Sequence, residues 1–171
     1  MSAAVAKVAI LMGSKNDLPK LQPAIDVLAK LGVPTTVRVM SAHRTPDTVM
    51  HFVTGAKAAG LKVIIACAGS AAHLAGVCAA HTTLPVIGIP VEGGAFNGLD
   101  ALYSTVQMPG GIAVATVGVG SGGVMNAGLL AAQILALSDD ALSARFDAFR
   151  AEQSAKVAAA DAEVMAAYPV K

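Results

Sequence analysis

VRVMSAHRTP, residues 37–46, joins an apolar stretch typical of a strand to the start of a helix. Pro46 suits the first helical turn, where its missing backbone N–H would have no partner in any case. The intervening loop therefore lies at a helix N-terminus, where free N–H groups and the helix dipole attract anions. The loop carries a hydroxyl, an imidazole and a guanidinium, from Ser41, His43 and Arg44. We predict a phosphate-binding loop with a titratable histidine beside it.

The same strand–loop–helix unit recurs along the chain. Short apolar runs predict strands buried on both faces at residues 7–12, 34–40, 63–68, 85–91 and 112–119. Helical patterns follow at residues 19–31, 46–59, 74–81, 99–108 and 124–137. Repeated alternation of this kind predicts one doubly wound α/β domain, in which a five-stranded parallel sheet has helices on both faces. The commonest strand order for such a sheet is 2-1-3-4-5.

The C-terminal tail has a different pattern. Residues 139–166 read as one long helix, with apolar positions at Leu142, Phe146, Phe149, Val157 and Val164. We divide the chain into a catalytic domain, residues 1–137, and a helical extension of the same domain, residues 138–171. The extension either packs on its own subunit or docks on a neighbouring one.

The composition favours an oligomer. Only 13% of the 171 residues are charged and 55% are hydrophobic, so we expect subunit interfaces to bury part of the surface. The net charge of +1, without any run of Lys or Arg, argues against nucleic acid or an anionic membrane as partner.

Other features indicate a soluble cytoplasmic protein. Cys67 and Cys78 lie in apolar surroundings and are predicted to be buried free thiols of a reducing compartment. The short apolar run near the N-terminus does not fit a signal peptide. Residues 63–80 are long enough to raise the question of a membrane span, but Gly69 and His73 interrupt them and favour a strand, a turn and a helix.

Three loops that follow predicted strands carry unusual chemistry, and the ends of parallel strands meet at one edge. In the first loop, Gly13 and Ser14 offer an N–H and a hydroxyl to phosphate, and Asp17 suits a pair of ribose hydroxyls. Alternatively, Ser14 or Asp17 is only a helix N-cap. The loop matches neither the Walker A nor the dinucleotide-binding glycine pattern.

The second and third loops supply the candidate acid/base groups. Arg44 is expected to bind phosphate through charge-assisted hydrogen bonds, and Thr45 to act as a plain N-cap. His43 titrates near neutral pH when unperturbed, which suits proton transfer. In the third loop, the small residues 69–72 allow close approach of a flat ligand. His73 either reaches the same edge or hydrogen-bonds within its loop.

With these motifs the chain resembles the class I N5-carboxyaminoimidazole ribonucleotide mutases, the PurE family of purine biosynthesis. The resemblance covers nearly the whole chain. Having Arg44 rather than Lys in the second loop, together with AAHL at residues 71–74, resembles class I more than class II. The matching segments are MGSK at 12–15, SAHRTP at 41–46, AAHL at 71–74, PVIGIPV at 85–91, VQMP at 106–109 and NAGLLAAQIL at 126–135.

The resemblance implies a flavodoxin-like three-layer fold and a homo-octamer whose C-terminal helices contact neighbours. It implies no metal and no organic cofactor. The implied reaction moves a carboxylate from the exocyclic N5 nitrogen of an aminoimidazole ribonucleotide to ring carbon C4. Carried over position by position, it assigns catalysis to His43 and His73. It assigns substrate binding to Ser14, Asp17, Ser41, Ala42, Arg44, Gly69, Ser70, Ala71 and Leu74.

Four positions depart from the family pattern, and none of them removes a charged or titratable site group. Asn16 stands for a usual Ser, Leu18 for Trp, Ser70 for Gly, and Ala75 for Pro. Two other functions remain open: a related carboxylase acting on a different heteroaromatic nucleotide, such as a pyridinium dinucleotide, and a non-catalytic nucleotide-binding module.

Overall fold

The computed structural model describes residues 5–169. Residues 1–4 of the predicted catalytic domain and residues 170–171 of the predicted helical extension lie outside the described residues. Five parallel strands form a single sheet in the order β2-β1-β3-β4-β5, which confirms the predicted fold class and strand order. The strands are β1 (Val8–Met12), β2 (Thr35–Val39), β3 (Val63–Ala68), β4 (Val86–Pro90) and β5 (Ala115–Thr116).

The central strands are buried because both faces of the sheet are covered. Every residue of β1 and β4 is buried, and their side chains are almost all aliphatic, as expected for a parallel sheet between two helical layers. In the register of the sheet, Ile10 pairs with Val37 on one side and with Ile65 on the other.

The helices form a layer on each face. The helices are α1 (Leu18–Lys30), α2 (Pro46–Ala56), α3 (Leu74–Ala80), α4 (Leu99–Val106), α5 (Ser121–Ala136) and α6 (Asp140–Ala167). One buried cluster packs α1, α5 and the first half of α6 against the sheet, and a second packs α2 and α3 against the opposite face.

The fifth strand is shorter than predicted. Only Ala115 and Thr116 pair with β4, whereas the apolar pattern indicated residues 112–119. The preceding Gly111 has a φ of +96°, outside the β region, so the chain enters the sheet late. The following helix begins at Ser121, earlier than the predicted residue 124.

The long C-terminal helix is anchored at its start and exposed at its end. Asp139 Oδ1 accepts the N–H of Leu142 at 2.9 Å and caps the helix, and Arg145 Nε donates to the carbonyl of Leu31 at 2.8 Å. Lys30 forms an ion pair with Glu152. Residues 153–167 are exposed, so the helix packs on its own chain only in its first half.

Residues 63–80 form β3, a turn and α3, as predicted. Within residues 5–169, no helix combines the length and the apolar character that crossing a membrane requires.

Candidate active site

A cavity of about 450 Å³ opens at the carboxyl edge of the sheet, between the loops that follow β1, β2, β3 and β4. The geometry of parallel sheets brings these loops together. Every residue predicted to bind substrate or to act in catalysis lines the cavity, while their individual roles stay predictions. These residues are Ser14, Asp17, Ser41, Ala42, His43, Arg44, Gly69, Ser70, Ala71, His73 and Leu74.

The loop after β1 contains one cap and one carboxylate that does not cap. Ser14 Oγ accepts the N–H of Asn16 at 3.2 Å and so caps the short 3₁₀ turn Lys15–Asp17. Asp17 directly precedes α1, but its side chain makes no capping hydrogen bond. Its carboxylate is 17% exposed and lies 4.0 Å from the ammonium of Lys20. Asp17 therefore retains acceptor capacity for a ligand in the cavity.

The loop after β2 is closed by its own hydroxyl groups. Ser41 Oγ accepts the N–H groups of His43 and Arg44, at 3.3 and 3.2 Å. Thr45 Oγ1 accepts the N–H of Ser41 at 2.9 Å and donates to the Ser41 carbonyl at 3.2 Å. Thr45 occupies the N-cap position of α2, as predicted, but its hydroxyl makes no capping hydrogen bond and bonds instead to the start of the loop. Both hydroxyls fix the backbone that presents His43 and Arg44.

Arg44 connects the first loop to the second. Its Nη2 donates to the carbonyl of Gly13 at 2.7 Å. A guanidinium has five N–H donors in a rigid fork, so this bond orients the group and leaves other donors for an anion.

The loop after β3 packs closely against Val91, which follows β4. A Cβ built at Gly69 would lie 3.1 Å from Val91 Cγ2, so a side chain there would crowd Val91. Ser70 has a φ of +54°, in the left-handed region that favours glycine. Ser70 thus has a backbone conformation typical of glycine and lines the cavity.

His43 and His73 meet across the cavity. Nε2 of His43 lies 2.8 Å from Nδ1 of His73, and the ring planes are perpendicular. The His73 ring therefore bonds to the second loop rather than within its own. One of these two nitrogens carries a proton and donates the hydrogen bond, and the other accepts the hydrogen bond. Both side chains are exposed, so each can reach a ligand in the open cavity.

The fourth wall of the cavity was not predicted from the sequence. Lys20 of α1 lines it, together with Val91, Glu92, Gly93 and Gly94 from the loop after β4. The parallel-sheet rule that placed the first three loops also places this fourth one, so its position was predictable. No sequence pattern indicated Lys20.

The thiol nearest the site is not a candidate nucleophile. Burial raises the pKa of Cys67 to about 12, with a further rise from the charge of Asp17 and a small opposing effect of Lys20. Because the thiolate is the reactive form, Cys67 stays inert at neutral pH. In the part of the chain that the structure describes, no three His, Cys, Asp or Glu side chains cluster in a way that could hold a metal.

The sequence profile of the AIR carboxylase family matches residues 7–156. The chain belongs to the AIR carboxylase family. Members with similar sequences are named N5-carboxyaminoimidazole ribonucleotide mutase. The protein of Vibrio vulnificus is 54% identical over 153 residues, 90% of this chain and 95% of that protein. The protein of Escherichia coli is 51% identical over 152 residues, 89% of this chain and 90% of that protein.

The fold of this AIR carboxylase family member is also found in a solved structure. The crystal structure of Treponema denticola PurE superposes with a TM-score of 0.83 at 29% sequence identity, covering 91% of this chain and 96% of that one. Sequence and structure therefore agree on the family.

Proposed function

We propose that this chain is an N5-carboxyaminoimidazole ribonucleotide mutase of purine biosynthesis, an isomerase that transfers a carboxylate within one substrate. Relatives that are more than half identical over most of their length carry this name. The observation that carries the proposal is the pairing of His43 and His73 in the same cavity as Arg44. That cavity offers a proton-transfer pair next to a cation suited to phosphate.

In the proposed binding mode, Ser14, Ser41 and Arg44 hold the 5′-phosphate, and Asp17 accepts hydrogen bonds from the ribose hydroxyls. The helix N-termini behind these loops add N–H groups and a favourable dipole. Small residues at Gly69 and Ala71 leave room for the flat imidazole beside the histidine pair. The substrate thus lies across the loop ends with its reacting atoms towards His43.

The proposed reaction has two steps. The bond between N5 and the carboxylate carbon breaks, CO2 leaves, and N5 takes up a proton from His43. Ring carbon C4 then attacks the CO2, and His43 removes the proton from C4. His73 helps to place the carboxylate and exchanges the proton with His43. The glycine-containing loops close the open cavity over the bound substrate, which holds the CO2 and makes the transfer effectively intramolecular.

The proposal includes assembly into an octamer, with the helical extension, residues 138–171, on a neighbouring subunit and residues 1–137 as the catalytic domain. Among residues 5–169, nothing covers the second half of α6, and its apolar side chains Val157 and Met165 are 70% and 66% exposed. Exposed apolar side chains along one helix favour a protein partner. Light scattering of the full chain is expected to give eight subunits. We place the enzyme in the cytoplasm, where Cys67 and Cys78 stay reduced.

The first test is direct turnover. Purified protein is mixed with freshly prepared N5-carboxyaminoimidazole ribonucleotide without bicarbonate, and the C4-carboxylated product is followed by its ultraviolet absorbance. Rapid conversion supports the mutase. Conversion only of the decarboxylated ribonucleotide with CO2 would assign the chain to the carboxylases. Nucleotide binding without either reaction would favour a binding module.

A further inference from the structure

Lys20 stands inside the site without a role in the chemistry proposed above. Its Nζ donates to the backbone carbonyl of Glu92 at 2.7 Å and lies 4.0 Å from Asp17 Oδ1. The side chain is 46% exposed, so water reaches the ammonium. One lysine therefore connects the loop after β1 with the loop after β4, which are far apart in sequence.

The bond between Lys20 and Glu92 forms part of the cavity wall. Both residues also line a second cavity of about 340 Å³, which adjoins the first and is bounded by the start of α5. The two residues that make this contact therefore line both cavities.

The side chain of Glu92 lies close to the start of α5. A Cβ built at Gly120, directly before α5, would lie 3.0 Å from Glu92 Oε1, so the carboxylate sits at that helix N-terminus, where negative charge is favoured. Gly93 and Gly94 follow with φ values of +153° and +67° and line the substrate cavity. These two glycines directly follow Glu92 in the chain.

Lys20 also offsets an unfavourable charge. A ribonucleotide with a phosphate and a carboxylate brings at least two negative charges next to the carboxylate of Asp17. Among residues 5–169, Lys20 is the one cation within 4.0 Å of Asp17. It lowers the repulsion between Asp17 and such a substrate, although its exposure limits the effect through solvent screening.

We propose that Lys20 is a positioning residue for the carboxylate transfer: its ammonium ties Asp17 to Glu92 and so closes one side of the cavity. This inference rests on the proposed function. Loss of the contacts from Lys20 to Asp17 and Glu92 loosens the ribose contact and lets CO2 leave before the bond to C4 forms. The decarboxylated ribonucleotide then accumulates at the expense of the C4-carboxylated product.

The test compares Lys20→Met, which keeps the side-chain length without charge or donors, with Lys20→Arg, which keeps a cation. Lys57→Met is the matched control, because Lys57 is exposed at the end of α2 furthest from the site loop. Steady-state kinetics give KM and kcat, and product analysis gives the ratio of decarboxylated to C4-carboxylated ribonucleotide. We expect Lys20→Met to raise KM by about 2- to 13-fold, the range of one net hydrogen bond, and to increase the decarboxylated share. For Lys20→Arg we expect KM and the decarboxylated share to be close to the wild-type values. Lys57→Met is expected to match the wild type in both quantities.

Unchanged KM and product ratio in Lys20→Met, with an active wild type, would overturn the inference. So would equal losses in Lys20→Met and Lys20→Arg together with a lower Tm, since that pattern belongs to a general folding defect. If the wild type itself converts nothing, the proposed function is wrong, and the affinity for AMP then tests whether Lys20 positions the nucleotide site. Weaker AMP binding by Lys20→Met supports the positioning role of Lys20, and equal binding overturns it.

Discussion

Nε2 of His43 lies 2.8 Å from Nδ1 of His73, and this hydrogen bond joins the loop after β2 to the loop after β3. The bond requires one nitrogen to be without a proton, so the pair holds at most one positive charge while the contact lasts. A pair of this kind gives up a proton to a ligand through one ring and replaces it from the other. Such a group suits a reaction that protonates one atom of the substrate and deprotonates another.

Replacing His43 by Asn is expected to lower kcat by about 10²- to 10⁴-fold, the usual contribution of a positioned acid/base group. Asn keeps a hydrogen-bonding side chain but does not transfer protons at neutral pH. The measurement is the ultraviolet turnover assay at saturating substrate. His51→Asn is the control, because His51 is exposed on α2 and does not line the cavity. Near-normal turnover by His43→Asn would contradict the assignment.

Arg44→Ala is expected to raise KM by about 10- to 150-fold, which corresponds to the loss of one charge-assisted hydrogen bond. The bond from Arg44 to the Gly13 carbonyl also disappears, so the first two loops lose their connection. Arg44→Lys keeps the charge but not the planar fork, and is expected to fall between Ala and wild type. Equal KM values for all three proteins would show that Arg44 does not contact the substrate.

The layered fold was predictable because its strongest signals are local. The apolar run of β1 has no polar position, and such a strand needs a neighbour on both sides and a cover on both faces. The length of β5 was not predictable in the same way. Its bounds depend on pairing with Ile87 and Gly88 and on the left-handed Gly111 before it, neither of which an apolar pattern reveals.

The location of the site was also predictable, since parallel strands bring their following loops to one edge. The partners within the site were not. Lys20 binds the backbone carbonyl of Glu92, 72 residues away, and a carbonyl group has no sequence signature. The Thr45 hydroxyl had two possible partners, the helix start and the loop start, and only the folded loop geometry selects Ser41.

Close packing of α1 on α5 predicts that Gly128→Ala destabilises the fold. A Cβ at Gly128 would lie 2.6 Å from Val27 Cγ1 and 3.0 Å from the Ala24 carbonyl oxygen. We expect the free energy of unfolding to fall by about 1–3 kcal/mol, as for other overpacked cores, measured by urea denaturation. Gly122→Ala is the matched control in the same helix, because a Cβ there meets nothing within 4 Å. It is expected to leave stability unchanged or to raise it by up to about 1 kcal/mol.

The two buried thiols predict a loss of stability at alkaline pH. Burial raises the pKa of Cys67 and of Cys78 from an ordinary 9.0 to about 12. Above pH 9 the unfolded chain releases these protons while the folded chain keeps them, so the unfolded state binds fewer protons and stability falls as pH rises.

This loss is confined to the range between pH 9 and pH 12 and is on the order of 1 kcal/mol per pH unit for each thiol in the middle of that range. Urea denaturation at pH 8.5, 9.5 and 10.5 measures it. The double variant Cys67→Ala/Cys78→Ala is expected to show a shallower pH dependence, because the lysines and tyrosines contribute to both proteins alike. Parallel pH profiles for the two proteins would mean that the thiols ionise as readily in the folded chain as in the unfolded one. In that event the protein interior around β3 and α3 would have to admit water by pH 10.5, against the complete burial of both side chains.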